Sequence, residues 1–281
     1  MAVVLGLLVA ASFGSGDFFG GRASARASTV AVLLVAQTVA AIGGLVVALA
    51  VSARVGGADL AYGAAAGVAN AVGLGLLYHG LARARVGVVA PLTAIVGALV
   101  PVVWALARGE RPATLVLVGA ACAIAAGGLI ARETDDAGAY TARPRGVPIA
   151  LAAGACLGTS LVFFAETGKG SGFWPVFTAR VSGLVIVAVA VIVLRVRATL
   201  TPPDRRATRL ACAAGTLDLT ATTILLAAVR RGLLVVVAPV ASLAPAFTVM
   251  WASAVLHERV SREQYIGLGL ALVGLVLVAT G

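Results

Sequence analysis

Long apolar segments alternate with short polar breaks along the whole chain. A transmembrane helix needs about 20 apolar residues, and none of the segments shows the alternation typical of outer-membrane barrel strands. We therefore predict an all-α membrane protein with ten transmembrane helices, called spans one to ten. Their predicted limits are 2–21, 28–50, 59–79, 86–107, 113–131, 147–167, 174–194, 207–229, 233–256 and 263–280.

The two halves of the sequence repeat each other. Val88-Val89-Ala90-Pro91 recurs 148 positions later as Val236-Val237-Ala238-Pro239, and Glu110-Arg111 recurs as Glu258-Arg259. An internal repeat in an apolar chain is typical of transporters. Because each half holds five spans, an odd number, the second half must enter the membrane in the opposite sense. This predicts two inverted repeats, 1–131 and 147–281, joined by a polar linker, 132–146, with the substrate site between them.

Composition excludes a soluble protein. The chain is 61% hydrophobic and 11% charged, with a mean hydropathy of +1.07. The net charge of +10 does not indicate nucleic acid, because every basic residue except Arg180 lies in or beside a polar break. These residues are expected to face lipid headgroups. The three cysteines are isolated, so we expect no metal site and no cofactor.

The distribution of basic residues also bears on orientation. The loops on the side of the N-terminus hold about six basic residues and those on the other side about fourteen. The positive-inside rule therefore favours both termini outside.

Polar residues at mid-membrane depth are costly and usually functional. Asp218 lies near the centre of span eight, and the 148-residue offset places it on Asn70 near the centre of span three. Thr222 follows Asp218 by one helical turn and shares its face. We predict that these residues line the substrate site between the repeats.

Arg180 lies about two turns inside span seven. It aligns with Gln37 of span two if the loop between the first two spans differs in length by five residues between the halves. In one interpretation Arg180 and Asp218 form a buried ion pair that only neutralises both charges. In the other, the arginine binds a substrate carboxylate or phosphate while the aspartate takes up a proton or an amine. The two interpretations are compatible.

Two further acidic residues, Asp17 and Glu166, lie late in spans one and six, where either helix-end contacts or a site role would explain them.

Interior prolines are expected to interrupt spans four and nine. The interruptions would either form part of the cavity wall or a hinge, or serve helix packing alone. Stripes of small residues indicate close helix packing in spans three, five and ten. The prolines are Pro91, Pro101, Pro239 and Pro245, and the stripes include Gly63, Gly67, Gly119, Ala123, Gly127, Gly267 and Ala271.

Several motifs together resemble the EamA-like family of the drug/metabolite transporter superfamily. In the first half they are Gly16-Asp17-Phe18-Phe19-Gly20-Gly21, Val89-Ala90-Pro91 and Gly109-Glu110-Arg111-Pro112; in the second, the run 237–248 and His257-Glu258-Arg259. The resemblance implies a ten-helix permease with spans one to four and six to nine around a central cavity. It also implies termini on the inside, opposite to the charge count. The family commonly has an arginine in span two, where this chain has Gln37.

The predicted function is secondary transport of a small polar metabolite across a bacterial inner or plasma membrane by alternating access. An arginine beside an aspartate suits a zwitterion such as an amino acid, with proton coupling as one option. The alternatives are export of cationic drugs, transport of organic phosphates or nucleotide sugars, and a membrane-embedded sensor or subunit. The sequence contains no nucleotide-binding Gly-rich motif and no cluster typical of a catalytic site, so we predict no enzyme. A homodimer is left open.

Overall fold

A computed structural model describes residues 2–83, 86–130, 146–196, 201–231, 234–256 and 261–280. The predicted linker, the side chain of Pro91 and the segment 257–260 lie outside these described residues.

Within that part of the chain every element is a helix, which confirms the all-α prediction. Eight segments are long and apolar enough to cross a membrane, and two shorter apolar helices lie in spans four and five. The helices are α1 (Ala2–Ser24), α2 (Thr29–Leu49), α3 (Gly57–Arg83), α4 (Val86–Ala107), α5 (Thr114–Ile130), α6 (Gly146–Ala165), α7 (Trp174–Val196), α8 (Arg205–Arg231), α9 (Leu234–Ala241), α10 (Ala244–Trp251) and α11 (Arg262–Thr280).

Short polar signals set several helix ends. The Ser28 hydroxyl accepts a hydrogen bond from the Ala31 amide at the start of α2, and Asp204 Oδ1 accepts one of 2.6 Å from the Ala207 amide at the start of α8. After α4 the chain turns at Gly109, whose φ of +92° favours glycine. The helices therefore end where the polar breaks of the sequence lie.

The outer helix faces carry large exposed apolar side chains. In α2, Ile42, Val46 and Leu49 recur at helical spacing and are 62%, 62% and 66% exposed. Such a stripe would be unfavourable in water and suits contact with lipid tails. The chain is thus a multi-pass membrane protein.

Glycines allow the helices to approach closely. A Cβ atom on Gly119 of α5 would lie 2.8 Å from the carbonyl oxygen of Gly274 in α11. In α3, a Cβ on Gly63 or Gly67 would collide with the backbone of α7 at Pro175 or Ala179. The small-residue stripes therefore do serve helix packing, as the sequence indicated.

Spans four and nine differ, which corrects the expectation that prolines interrupt both. Span nine is broken: α9 ends at Ala241, and α10 begins afresh with Pro245 in its first turn, where a missing N–H costs nothing. Span four is one continuous helix through Pro91 and Pro101. At Pro101, α6 packs closely on the continuous helix: a Cβ on Gly158 would lie 3.2 Å from Pro101 Cδ and 2.8 Å from the Gly97 carbonyl oxygen.

Candidate functional site

A buried arginine and its two partners form the polar centre of the bundle. Arg180 of α7 is 4% exposed, and its Nη1 donates to the Asp218 carboxylate of α8. Its Nη2 donates to the Asp218 carbonyl oxygen at 3.0 Å and to the Thr222 hydroxyl. The structure thus brings three predicted site residues together and confirms the predicted contact between Arg180 and Asp218.

The two members of the pair differ in burial. The side chain of Arg180 is 5% exposed and that of Asp218 is 35% exposed. The carboxylate therefore retains access to water or a ligand while the guanidinium is enclosed. A change at Asp218 would leave the arginine charge buried without a counter-charge.

Gln37 of α2 lies beside the same part of α7. Its side chain is buried, and its amide nitrogen occupies the position that a Cβ on Gly183 would need, one turn after Arg180. Gln37 Oε1 and Arg180 Nε are both buried and have no hydrogen-bond partner among the described residues. The contact of α2 and α7 thus holds one buried acceptor and one buried donor that the described residues leave unpaired.

Glycine contacts define how Asn70 and Asp218 are placed. Gly67 of α3 packs against the carbonyl of Ala179, and Gly215 of α8 packs against that of Ala36. Asn70 and Asp218 each follow the packing glycine by three residues, on the same helix face. Asn70 is half-buried and makes no hydrogen bond within the described part of the chain, so it lies near the centre without joining the ion-pair network.

Asp17 joins this centre from α1. The backbone at Gly16 packs against α8 so closely that a Cβ there would lie 3.7 Å from the Asp218 amide nitrogen. The Asp17 side chain is exposed and follows directly on Gly16, which makes this contact with the Asp218 backbone. Tertiary packing therefore places Asp17 beside the predicted site rather than at the headgroup level.

Glu166 has a different environment. It lies just after α6 at the end of the bundle where α1 begins, called here the first face. Its carboxylate accepts hydrogen bonds of 2.9 Å from Trp104 Nε1 and 3.0 Å from Arg108 Nη2. Of the two interpretations offered for Glu166, the helix-end contact is the one that the structure favours.

Further polar contacts close the first face, and sequence reasoning did not find them. Asp59 accepts a hydrogen bond of 2.7 Å from the Gly168 amide, and Arg230 donates to the Gly172 carbonyl and the Ser171 hydroxyl. These contacts join α3 and α8 to the loop between α6 and α7. Their sequence signal is weak, because a charged residue in a loop is ordinarily solvated.

Glu110 makes the contact that links this face to span nine. Its two carboxylate oxygens accept hydrogen bonds of 3.0 and 3.1 Å from the amides of Leu234 and Val235 at the start of α9. A carboxylate at a helix N-terminus satisfies free N–H groups and complements the helix dipole. The repeated Glu-Arg pair was the only trace of this role in the sequence.

We expect Glu110→Ala to loosen the start of α9. Each amide that loses its partner costs on the order of 1 kcal/mol or more, so hydrogen exchange at Leu234 and Val235 should quicken about tenfold. Exchange measured by mass spectrometry on that peptide checks this. Glu166→Ala is the matched control at the same face and should leave α9 unchanged; equal quickening in both variants would contradict the capping role.

The opposite end, called the second face, contains a cleft. Arg26 and Asp204 form an exposed ion pair of 3.6 Å, and the Ser28 amide bonds to the Thr201 carbonyl. Beside them a cleft of about 330 Å³ lies between α1, α8 and the turn after α10. Its inner wall includes Phe18, the neighbour of Asp17.

With this geometry established, comparison with known proteins is informative. Residues 144–280, from the start of α6 to the end of α11, match the sequence profile of the EamA-like transporter family. This part of the chain is therefore similar to the EamA-like transporter family. It contains Arg180, Asp218 and Thr222, and with them the polar centre described above.

Structural comparison concerns the fold of the whole chain. A protein of known crystal structure, 19% identical in sequence, superposes with a TM-score of 0.77 over 99% of this chain and 96% of that chain. At that identity the likeness shows a shared fold alone. None of the curated proteins matches the sequence. The EamA-like half and the many apolar helices together indicate a membrane transporter of the drug/metabolite type.

Proposed function

We propose that this chain is a secondary transporter that moves a small polar metabolite by alternating access, with an amino acid as the favoured substrate class. The observation that carries the proposal is the buried Arg180, held by Asp218 and Thr222 at mid-bundle depth. It also packs against α2 of the other half, since a Cβ on Gly44 would lie 3.8 Å from Arg180 Cγ. Buried ionised groups inside a membrane bundle usually mark a transport pathway.

The proposal includes an inverted repeat, supported by contacts that recur under exchange of the two halves. A Cβ on Gly119 would lie 2.8 Å from Val278, and one on Gly267 would lie 2.7 Å from Ile130. The second pair corresponds to the first under the 148-residue offset, which relates Gly119 to Gly267 and Ile130 to Val278. Gly67 also packs on Ala179, and Gly215 packs on Ala36. The glycines are 148 positions apart and the alanines 143, which includes the five-residue difference in loop length. Reciprocal contacts of this kind are what a pseudo-twofold axis in the membrane plane would produce.

Alternating access is supported by the difference between the two ends of the bundle. At the first face, side chains of Asp59, Arg108, Glu110 and Arg230 join segments from both halves. At the second face, a cleft opens beside an exposed ion pair. We assign this arrangement to a state closed at the first face. The broken span nine, with its start held by Glu110, supplies a hinge that span four lacks.

In the proposed mechanism the substrate replaces one partner of the central pair. A substrate carboxylate binds the Arg180 guanidinium in place of Asp218. The released Asp218 carboxylate then accepts the substrate ammonium group or a proton, so that no charge is left unpaired in the bundle. Gln37 and Asn70 supply neutral hydrogen-bonding groups from the other half. Export of cationic drugs is the second candidate, favoured by the neighbouring carboxylates of Asp17 and Asp218.

Transport in proteoliposomes under an imposed pH gradient tests the proposal. We expect Asp218→Asn to abolish pH-dependent transport, because asparagine still accepts a hydrogen bond from Arg180 but cannot take up a proton. Glu166→Gln is the matched control and should retain the gradient effect. Undiminished pH-dependent transport by Asp218→Asn would refute coupling at this residue. A preference for monocationic over zwitterionic substrates in the unaltered protein would favour the second candidate.

A further inference from the structure

The cleft at the second face is lined by arginines on one side and aromatic rings on the other. Arg22 of α1, Arg26 in the turn after α1 and Arg206 of α8 supply guanidinium groups. Phe18 and Phe19 supply the aromatic wall, completed by Ala25, Leu210 and Val255. The last turn of α1 and the turn after it lie beside the start of α8, so the packing of α1 on α8 brings these arginines together.

Among the residues that the structure describes, positive charges outnumber negative ones in this cleft. Arg26 is paired with Asp204, whose pKa lies below its usual range because the Ala207 amide donates to it. That carboxylate therefore stays ionised and offsets one positive charge. Arg22 and Arg206 have no acidic partner within the described part of the chain. Two guanidinium groups beside a partly enclosed cavity form a strong electrostatic attraction for an anion.

The apolar wall is rigid and ordered by its own contacts. Phe18 stacks on Trp251 with ring centroids 6.0 Å apart, and Trp251 Nε1 donates to the Ser15 hydroxyl at 2.8 Å. An aromatic surface fixed in this way can pack against the apolar part of a ligand. The cleft volume of about 330 Å³ lies at the lower end of the range for small-molecule sites, roughly 300–1,000 Å³.

We propose that this cleft is a second binding position, distinct from Arg180, for a small organic anion that carries a carboxylate or phosphate on an apolar or aromatic group. Arg22 and Arg206 bind the anionic group, and Phe18 and Phe19 pack against the apolar part. Binding at the cleft does not rest on the proposed transport function; only the use of the cleft as an entrance for substrate would. The same chemistry is found in a metabolite and in the phosphate of a membrane lipid, so the test must separate these two sources.

Binding of phenyl phosphate to the full chain in nanodiscs of phosphatidylcholine tests the proposal, with benzylamine as the cationic counterpart. We expect the protein to bind phenyl phosphate and not benzylamine. Arg22→Gln or Arg206→Gln should each weaken that binding about tenfold, as loss of a charge-assisted hydrogen bond implies. Arg209→Gln is the matched control, because Arg209 is exposed on the same helix but does not line the cleft.

The variants also separate this proposal from the proposed function. Arg180→Gln should leave phenyl phosphate affinity unchanged. If Arg180→Gln loses affinity for phenyl phosphate and the two cleft variants do not, the anion binds at the central pair. That result would overturn the inference while the transport proposal stands. Equal weakening by Arg209→Gln would also overturn it, since bulk charge would then explain binding.

A lipid arm identifies the source of the anion. Phosphatidylglycerol mixed into the nanodiscs should raise the apparent Kd for phenyl phosphate if lipid headgroups occupy the cleft, and this competition should vanish in Arg22→Gln. An unchanged Kd assigns the cleft to soluble anions. Either result supports the site, provided that the cleft variants weaken binding and Arg209→Gln does not.

Discussion

Asp218→Ala is expected to lower the free energy of unfolding by about 3–5 kcal/mol and to abolish transport, because it leaves the Arg180 guanidinium buried without its counter-charge. The side chain of Arg180 is only 5% exposed, so its charge stays largely shielded from water when the carboxylate is removed. Thermal unfolding of the purified protein in detergent, followed by size-exclusion chromatography, measures the loss. Transport is measured in parallel in proteoliposomes.

The double variant Arg180→Met with Asp218→Leu distinguishes charge burial from function. Apolar side chains of similar volume remove both charges, so most of the lost stability should return. Transport should not return, because the groups that bind substrate are absent. Recovery of transport in the double variant would contradict a role for the pair in binding. A stable Asp218→Ala protein would contradict the buried ion pair itself.

Gly67→Ala is expected to have the second large effect, lowering the free energy of unfolding by about 3 kcal/mol. The added methyl group would collide with the carbonyl oxygen of Ala179, and backbone cannot move aside as a flexible side chain can. Helices α3 and α7 must therefore separate at the residue next to Arg180. We expect transport to fall with stability, because the displaced arginine loses its geometry with Asp218.

Gly75→Ala is the matched control for this change. Gly75 lies two turns further along α3, and nothing lies within 4 Å of the position that a Cβ would take. Alanine is the better helix former by about 1 kcal/mol, so this variant should be as stable as the unaltered protein or more so. Equal destabilisation by the two substitutions would show that close contact with α7 is not what Gly67 provides.

The positions of most helices could be predicted because they depend on local composition, although the structure divides span nine into two helices. A segment such as 86–107 has the length and apolar character that lipid requires, and the helix found there has the same limits. The predicted alignment of Gln37 with Arg180 is consistent with the packing of Gly215 on Ala36 and of Gly67 on Ala179. These properties need only neighbouring residues and the internal repeat.

The proline interpretation shows where local reasoning failed. Pro91 and Pro239 occupy equivalent positions in the repeat, but Pro101 and Pro245 do not. The first-half residue that corresponds to Pro245 is Gly97. Whether a proline breaks a helix depends on what packs beside the freed carbonyl. At Pro101 it is Gly158 of α6, a residue more than fifty positions away. No window of sequence around the proline contains that information.

The sequence by itself determined a multi-pass membrane protein of apolar helices, with polar residues near the centres of several of them. It did so because transfer to lipid is governed by each segment's own length and polarity. Only the tertiary structure decided that Asp17 lies beside Asp218, that Glu166 belongs to the first face, and that Glu110 caps α9. The physical reason is that these contacts depend on which backbones approach at glycines far apart in the chain.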